Sequence, residues 1–550
     1  MRPEDIDKYQ YVKKTPTWLV RTIYTIGIFT WLSVIYGYTR IIKMDPVYWW
    51  ILFPFLVFFS LYYLNSYTIN FFYRQPDLKE HFKLVDNYWK HRRGKNVPSV
   101  DIFLPICGED TNVLRKTFFA VNRLNYLKKK VYVLDDKGID QHKRLAGTYG
   151  FTYFSRENKG HMKKAGNIKY GYERSTGKFI VIFDADFAPH KDFIKELLPY
   201  MNNPEVGIVQ SPQYFQTDRV VHKRSWLEYG ASQVQEDFYR FIQVARSNLG
   251  APICCGSNAI YRRKALDTVG GTAQIEHSED MHTGFNLINR GWIVKYVPII
   301  LAIGLCPDSL HQYFHQQHRW CSGSLSLMLD KKFWKSKILT FAQRMCFISG
   351  FLYYMSYPLT IFISFQAFIV LFYHSQYLNI YNSIPFIPCI LFSFVVMPLF
   401  RISQPRIGNF YTRIAYGYAY CHAVVTAFIR KSIGWQPTNA KKTTISKAYR
   451  SIVIFNAIYL YIYVTLIGIA IHRNQFQIFN PNYYSVLFWV FFNLFSNILI
   501  LSKFYSVIDD TVFDQVSEKR MSTGSFILWR LKTVGLYTIL IASTLIITIR

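Results

Sequence analysis

Apolar residues along this chain fall into two patterns that do not mix. Long uninterrupted runs occupy residues 22–38 and 47–72, then return at 347–373, 384–400, 452–471, 484–501 and 534–549. Each is close to the roughly 20 residues that cross a bilayer core as a helix. Tyr and Trp crowd the ends of the first two, as they do at a membrane interface. A cleaved leader accounts poorly for the first run, which lacks a small-residue cleavage site and is followed at once by a second run. One such run could be a buried core helix; two in tandem with five more downstream predict about seven membrane crossings. The run at 347–373 contains Pro358 and follows the basic segment 331–344, which predicts an interfacial helix leading into that span.

Between residues 77 and 330 the pattern changes to short alternating elements. Strands are predicted at 100–105, 130–134, 151–154 and 178–183, and helices at 111–124, 141–149 and 164–174. The last strand, Lys178–Phe183, is apolar on both faces. Such alternation predicts an α/β sheet covered by helices, whose ligands gather at the C-terminal ends of its strands.

Charge changes the picture by giving it an orientation. The 550 residues include 64 Lys+Arg and 34 Asp+Glu, a net +30, with 51% hydrophobic and 18% aromatic residues. That content excludes disordered, collagen-like and low-complexity classes. Residues 401–450 carry Arg401, Arg406, Arg413, Arg430, Lys431, Lys441, Lys442, Lys447 and Arg450 with no acidic residue, whereas 374–382 has no Lys or Arg. The positive-inside bias then places 401–450, the N-terminus and the central domain in the cytosol. Lipid headgroups absorb much of the excess charge, without any nucleic acid. The eight cysteines make no C-x-x-C or zinc-ribbon spacing, which predicts reduced thiols.

Candidate chemistry sits at the predicted strand exits. Asp135-Asp136 follows one strand, and Asp184-Ala185-Asp186 another. Asp is common in solvated turns, but two such pairs in one domain point to a hard cation and a nucleotide, since Mg²⁺ uses one or two carboxylates plus substrate phosphates. Farther on, Ser278-Glu279-Asp280 supplies a general-base candidate in Asp280; Ser278 also suits a helix cap. In Gln316-Gln317-His318-Arg319-Trp320, an Arg fork suits a diphosphate and a Trp face suits a sugar ring. His311, His315 and His318 share a zinc-like spacing, with no fourth ligand at a standard offset.

These motifs, in this order, resemble those of processive family 2 glycosyltransferases. Lys164-Ala165-Gly166-Asn167, Gln210-Ser211-Pro212-Gln213-Tyr214-Phe215 and Cys254-Cys255-Gly256-Ser257-Asn258 are similar to the corresponding cellulose synthase segments. The resemblance covers residues 99–329 and extends in layout to both membrane regions. It implies two N-terminal membrane helices (1–76), a cytosolic α/β GT-A domain (77–335) and C-terminal membrane and interfacial helices (336–550). Asp135, Asp136, Lys164, Asp184 and Arg319 would bind the UDP-sugar, and Asp186 would bind Mg²⁺ or Mn²⁺. Asp280 would activate the acceptor hydroxyl in an inverting transfer. Gln316, Trp320, Cys255, Gly256 and Ser257 would hold the acceptor. Trp435, Thr438 and Lys441 resemble a gating loop that closes over the nucleotide; a plain basic juxtamembrane loop is the alternative.

The implied product is a β-linked polysaccharide, a β-glucan from UDP-glucose first, passed out through the membrane helices of a multi-pass plasma-membrane protein. The implied partners are the UDP-sugar, the growing polysaccharide and membrane lipid; a homo-oligomer stays open. Hyaluronan, chitin or mannan synthesis and single addition to a lipid carrier are the enzymatic alternatives, and a transporter is the non-enzymatic one. Tyr353, Tyr354, Tyr459 and Tyr463 could line a sugar path, or serve packing. Lys137 and Ser278 depart from the family pattern without removing a side chain assigned above, whereas Cys107-Gly108-Glu109 replaces the more usual Tyr-Asn-Glu near the first strand, at the implied nucleotide base pocket. Since the sequence stops at Arg550, after its last apolar run, no cyclic-di-GMP-binding domain is expected.

Overall fold

The computed structural model describes residues 3–517, apart from 14, 46, 93–95, 216–225, 308, 402–406, 430–444 and 474. Helices α1 (Thr17–Met44) and α2 (Phe53–Phe71) open the chain. The Trp31 indole N–H donates to Ser60 Oγ at 3.1 Å and joins them.

The central domain follows. Strands β1 (Val100–Ile106), β2 (Lys129–Asp135), β3 (Thr152–Phe154) and β4 (Phe179–Ile182) run parallel, connected by α3 (Thr111–Asn122), α4 (Asp140–Thr148) and α5 (Lys163–Glu173). These are the predicted elements, with ends moved by a residue or two. Next come β5 (Ala188–Pro189), β6 (Val206–Gln210), β7 (Tyr214–Phe215), α6 (Trp226–Asp237), β8 (Ala259–Arg262), α7 (Glu279–Ile288), β9 (Ile293–Tyr296) and β10 (Ala302–Gly304). The main sheet has the order β3-β2-β1-β4-β8-β6-β9, and β5-β10-β7 form a second, small sheet. β8 runs antiparallel between β4 and β6.

Alternate residues of the central strands serve two cores. Phe103, Tyr132, Leu134, Ile180 and Ile182 pack on one face, and Ile102, Leu104, Val131, Val133, Phe179 and Val181 on the other. Side chains alternate across a strand, so a sheet buried on both faces needs continuous apolar runs. The register pairs Ile106 with Asp135 and Phe103 with Ile182. The C-terminal ends of β1, β2 and β4 therefore share one edge, and the acidic residues follow there.

Helix α8 (Leu310–Leu329), capped by Ser309, joins this domain to the remaining helices. These include α9 (Phe341–Ile363), α10 (Ile407–Phe428), α11 (Lys447–His472) and α12 (Tyr484–Ser517). A capping box of Thr340 and Gln343 starts α9 within the basic segment, and the helix continues through Pro358.

Five helical segments among the described residues are long and apolar enough to cross a membrane: Thr17–Met44, Phe341–Tyr373, Ile380–Arg401, Lys447–His472 and Pro481–Phe504. The expected count was about seven. The second run forms α2, but Asn65, Ser66, Thr68 and Asn70 dilute its apolar character, and the run at 534–549 lies outside the described residues. Helix α10 is absent from the expected elements. Its buried face of Ala415, Tyr416, Ala419, Tyr420 and Ala423 is too tyrosine-rich to read as an apolar run, and it shows only once packed on α8.

Candidate active site

At the end of β2, Asp135 is fully buried and turns back into the protein. It accepts from the Lys137 and Ile139 N–H groups at 2.9 Å each and from Tyr153 at 2.8 Å, with His142 Nδ1 at 3.2 Å. Burial opposes its charge, yet these bonds hold its carboxyl below the usual range. Asp136 pairs with the Arg156 guanidinium at 2.6 Å and accepts from Gly160 N–H at 3.1 Å. Both side chains thus brace the turn after β2.

The K-A-G-N segment at the start of α5 reads residue by residue. A side chain at Gly166 would overlap Arg156, the partner of Asp136. Asn167 Nδ2 donates to Leu134 O at 2.6 Å and anchors α5 to the end of β2. Lys164 points the other way: its Nζ stands 2.5 Å from Asp184 Oδ1, 3.3 Å from Gly256 O and 3.7 Å from Glu279 Oε1. Burial works against its charge, but Asp184, Glu279 and Asp280 hold its pKa above the ordinary lysine value.

The loop Cys254–Ser257 is held by the second motif. Gln210 donates to Ile253 O at 2.6 Å and accepts from Cys255 N–H at 3.0 Å, while Gln213 donates to Cys255 O at 3.0 Å. Ser257 Oγ accepts from Asp184 N–H at 2.9 Å. Gly256, at φ +71°, packs against Asp280; a Cβ there would lie 2.7 Å from Asp280 Oδ2.

Asp280 enters at the N-terminus of α7, where its Oδ1 accepts from Met281 N–H at 2.8 Å. Burial and the neighbouring Glu279 push its pKa up, against Lys164. Arg319, on α8, is pulled down by burial and drawn back by Asp184, Glu279, Asp186 and Asp280, all within electrostatic reach. Four separated stretches thereby converge: the α5 start, the β4 exit, the α7 start and α8. Among the described residues, the non-glycine residues with left-handed φ are Met162, Lys163, Asn258 and Ser278, each within two residues of a side chain in this cluster. Such conformations cost about 1–3 kcal/mol each and persist where the surroundings enforce them.

Gln316 is buried on α8, and Trp320 is half-buried one turn on. Trp435, Thr438 and Lys441 lie outside the described residues. The histidines do not gather around one point. His311 and His315 share Ser446 Oγ at 3.1 and 2.9 Å, while His318 meets Thr426 at 3.3 Å and burial drives its pKa down to about 3.

Asp186 leaves the same strand exit two residues after Asp184. Burial, then Asp184 beside it, pushes its pKa up to about 7, against the nearby Lys164. Among the described residues, no group of three or more His, Cys, Asp or Glu converges on one ion. One or two carboxylates offering only oxygen fit a hard divalent ion that takes its other ligands from a diphosphate and water.

Two features escaped the motif reading. Arg156 is the counter-ion of Asp136, and no motif marks it. Gly323 sits inside α8 directly opposite Ser278; a glycine in a helix interior is itself a signal, because it is costly there.

Residues 101–270 match the model of Glycosyl transferase family 2, the family of the GT-A-type glycosyltransferase fold. The chain is 29% identical over 269 residues to the cellulose synthase catalytic subunit (UDP-forming) of Pseudomonas fluorescens, covering 48% of this chain and 36% of that protein. It is 30% identical over 271 residues to the cellulose synthase 1 catalytic subunit of Komagataeibacter xylinus, again 48% and 36%. The chain thus spans about a third of the length of the curated relatives it matches. Among solved structures, a mannosyltransferase from Pyrobaculum calidifontis in complex with GDP-Man and Mn²⁺ aligns at 17% identity over 64% of this chain and 97% of that one, with a TM-score of 0.45.

Proposed function

Because its central domain is a family 2 glycosyltransferase domain of the cellulose synthase-like kind, we propose that this chain is a processive, inverting synthase. It builds a β-linked glucan from UDP-glucose at the cytosolic face of the plasma membrane and passes the product through its own helices. The observation that carries this reading is the geometry of the cluster. Lys164 Nζ lies 2.5 Å from Asp184 and 3.7 Å from Glu279, next to the half-buried Asp280, and the field of these carboxylates reaches Arg319 on α8. This puts a cation for a leaving diphosphate beside a candidate base.

In the reaction, Asp280 takes the proton of the acceptor hydroxyl, whose oxygen forms a bond to C1 of the donor sugar. The bond from C1 to the β-phosphate oxygen breaks on the opposite face, and its electron pair leaves with UDP. Attack opposite to departure inverts C1 and makes the β-linkage. Burial and Glu279 make Asp280 a stronger base than a solvated aspartate. Arg319 stabilises the charge growing on the diphosphate, where preorganised positive groups act most strongly. Lys164 keeps Asp184 and Glu279 together at the same edge. A divalent ion on Asp186, with Asp184 beside it, would add positive charge at the diphosphate. Trp320, one position beyond Arg319, offers a ring face to the terminal acceptor sugar.

The test is incubation of the purified full chain with radiolabelled UDP-glucose and Mg²⁺ or Mn²⁺, followed by sizing and linkage analysis. Long polymer degraded by a β-glucanase supports the proposal. A single sugar on lipid overturns processivity. Incorporation only from UDP-N-acetylglucosamine, UDP-glucuronate or GDP-mannose replaces the donor, and no incorporation overturns the transferase reading.

A further inference from the structure

Glycine in the interior of a helix costs about 1 kcal/mol relative to alanine, and α8 carries one at Gly323. No positive φ or turn calls for it there. What calls for it is Ser278. A Cβ on residue 323 would overlap both Oγ and Cβ of Ser278, and the next atom beyond them is Ser278 Cα at 3.6 Å. Ser278 is the residue before α7 and two before Asp280, and its backbone is held left-handed at φ 57°, ψ 45°.

The same two helices meet again one turn on, where His282 Nε2 and Ser326 Oγ lie 2.8 Å apart. The opposite face of α7 is packed as tightly. A Cβ at Gly256 would lie 2.7 Å from Asp280 Cβ, and a Cβ at Gly284 would lie 2.7 Å from Cys254 Cβ. The start of α7 is therefore wedged between the Cys254–Gly256 loop and α8, with no room on either side for one added methyl group. Arg319 stands one turn before Gly323 on the same helix.

We propose that Gly323 is a positioning residue: it seats Ser278 against the α8 backbone and so sets the distance between the Asp280 carboxylate and the Arg319 end of the donor site. This rests on Asp280 as the base of the transfer. One rigid helix then carries the diphosphate clamp and fixes the base. A bulkier residue at 323 pushes the Ser278 turn, and with it Asp280, away from the acceptor hydroxyl while leaving the donor pocket in place.

The experiment compares the full-length wild type with Gly323→Ala, Ser278→Gly, Gly323→Ala/Ser278→Gly and Gly323→Ala/Ser278→Ala. It reads kcat and KM for UDP-glucose, with the Kd for UDP measured separately. Gly323→Ala should lower kcat about 100-fold, the loss that goes with an ångström of misplacement, with KM and UDP affinity within about 2-fold of wild type. Ser278→Gly in the same chain should restore most of kcat, since the nearest atom is then Cα. Ser278→Ala should not, since Cβ remains. A Gly323→Ala enzyme with wild-type kcat, loss of UDP binding along with kcat, or equal failure of both double variants would each overturn the inference. A wild type that transfers sugar from no nucleotide donor would overturn the transferase reading itself, and this inference with it.

Discussion

Lys164 Nζ stands 2.5 Å from Asp184 Oδ1, so one ammonium on α5 ties down the carboxylate that leaves β4. The same ammonium lies 3.7 Å from Glu279 and acts on Asp280. Its charge is therefore shared between Asp184, assigned above to the proposed donor side, and Asp280, the proposed base.

Lys164→Met should perturb both. Removing the cation takes away an influence that lowers the Asp280 pKa, so the acid limb of the kcat/KM profile should move to higher pH. UDP-glucose KM should rise about 10-fold, the scale of one charge-assisted contact. A pH–rate series with a parallel UDP titration measures both; an unmoved acid limb would separate Lys164 from the base.

Glu279→Gln should move the same limb the other way. Glu279 raises the Asp280 pKa, and the base must be deprotonated to act. Without that neighbouring negative charge, Asp280 ionises at lower pH and activity persists further into acid. The comparison requires only wild type and variant assayed across the same buffers.

Asp280→Asn should remove about 10²- to 10⁴-fold of the rate, the usual contribution of a general base. Its amide remains a hydrogen-bond acceptor for Met281 N–H, so UDP affinity should stay within about 2-fold of wild type. Rapid polymer synthesis by this variant would dismiss Asp280 as the base.

Asp186→Ala should abolish stimulation by Mn²⁺ or Mg²⁺ together with transfer. The pKa of Asp186 is pushed up to about 7 by burial and then by Asp184, so weaker binding of Mn²⁺ by the wild-type protein on acidification should also be seen, as protons compete for the carboxylate. Titrating Mn²⁺ against wild type and variant with UDP present reads this directly.

Glu196 offers a stability test away from the site. Lys8 Nζ stands 2.5 Å and Tyr9 OH 3.2 Å from its Oε1, with His81 Nε2 2.6 Å from Oε2. Burial opposes the charge, but His81 and Lys8 bring its pKa down to about 2. A carboxylate depressed from about 4.3 in the unfolded chain contributes stability that is full above that value and lost as pH falls towards 2. Glu196→Gln should cost about 3 kcal/mol at neutral pH and flatten the acid loss of stability. Thermal melts at pH 7 and in that acid window measure it.

The strands of residues 100–183 were legible in the chain because burial on both faces demands continuous apolar runs, and their acidic exits because a parallel sheet delivers its C-terminal ends to one edge. Asp184, Asp186, Asp280 and Arg319 could be named from motifs alone. Other features depend on approach between distant segments, which no linear pattern records. The antiparallel β8 follows from pairing with both β4 and β6. That Asp135 and Asp136 are engaged by Tyr153, His142 and Arg156 shows only once those side chains fold onto the β2 exit. The face of α10 and the seat of Ser278 on Gly323 exist only where helices pack. A sequence records which residues want burial or charge; which atoms then compete for the same few ångströms is settled by packing in three dimensions.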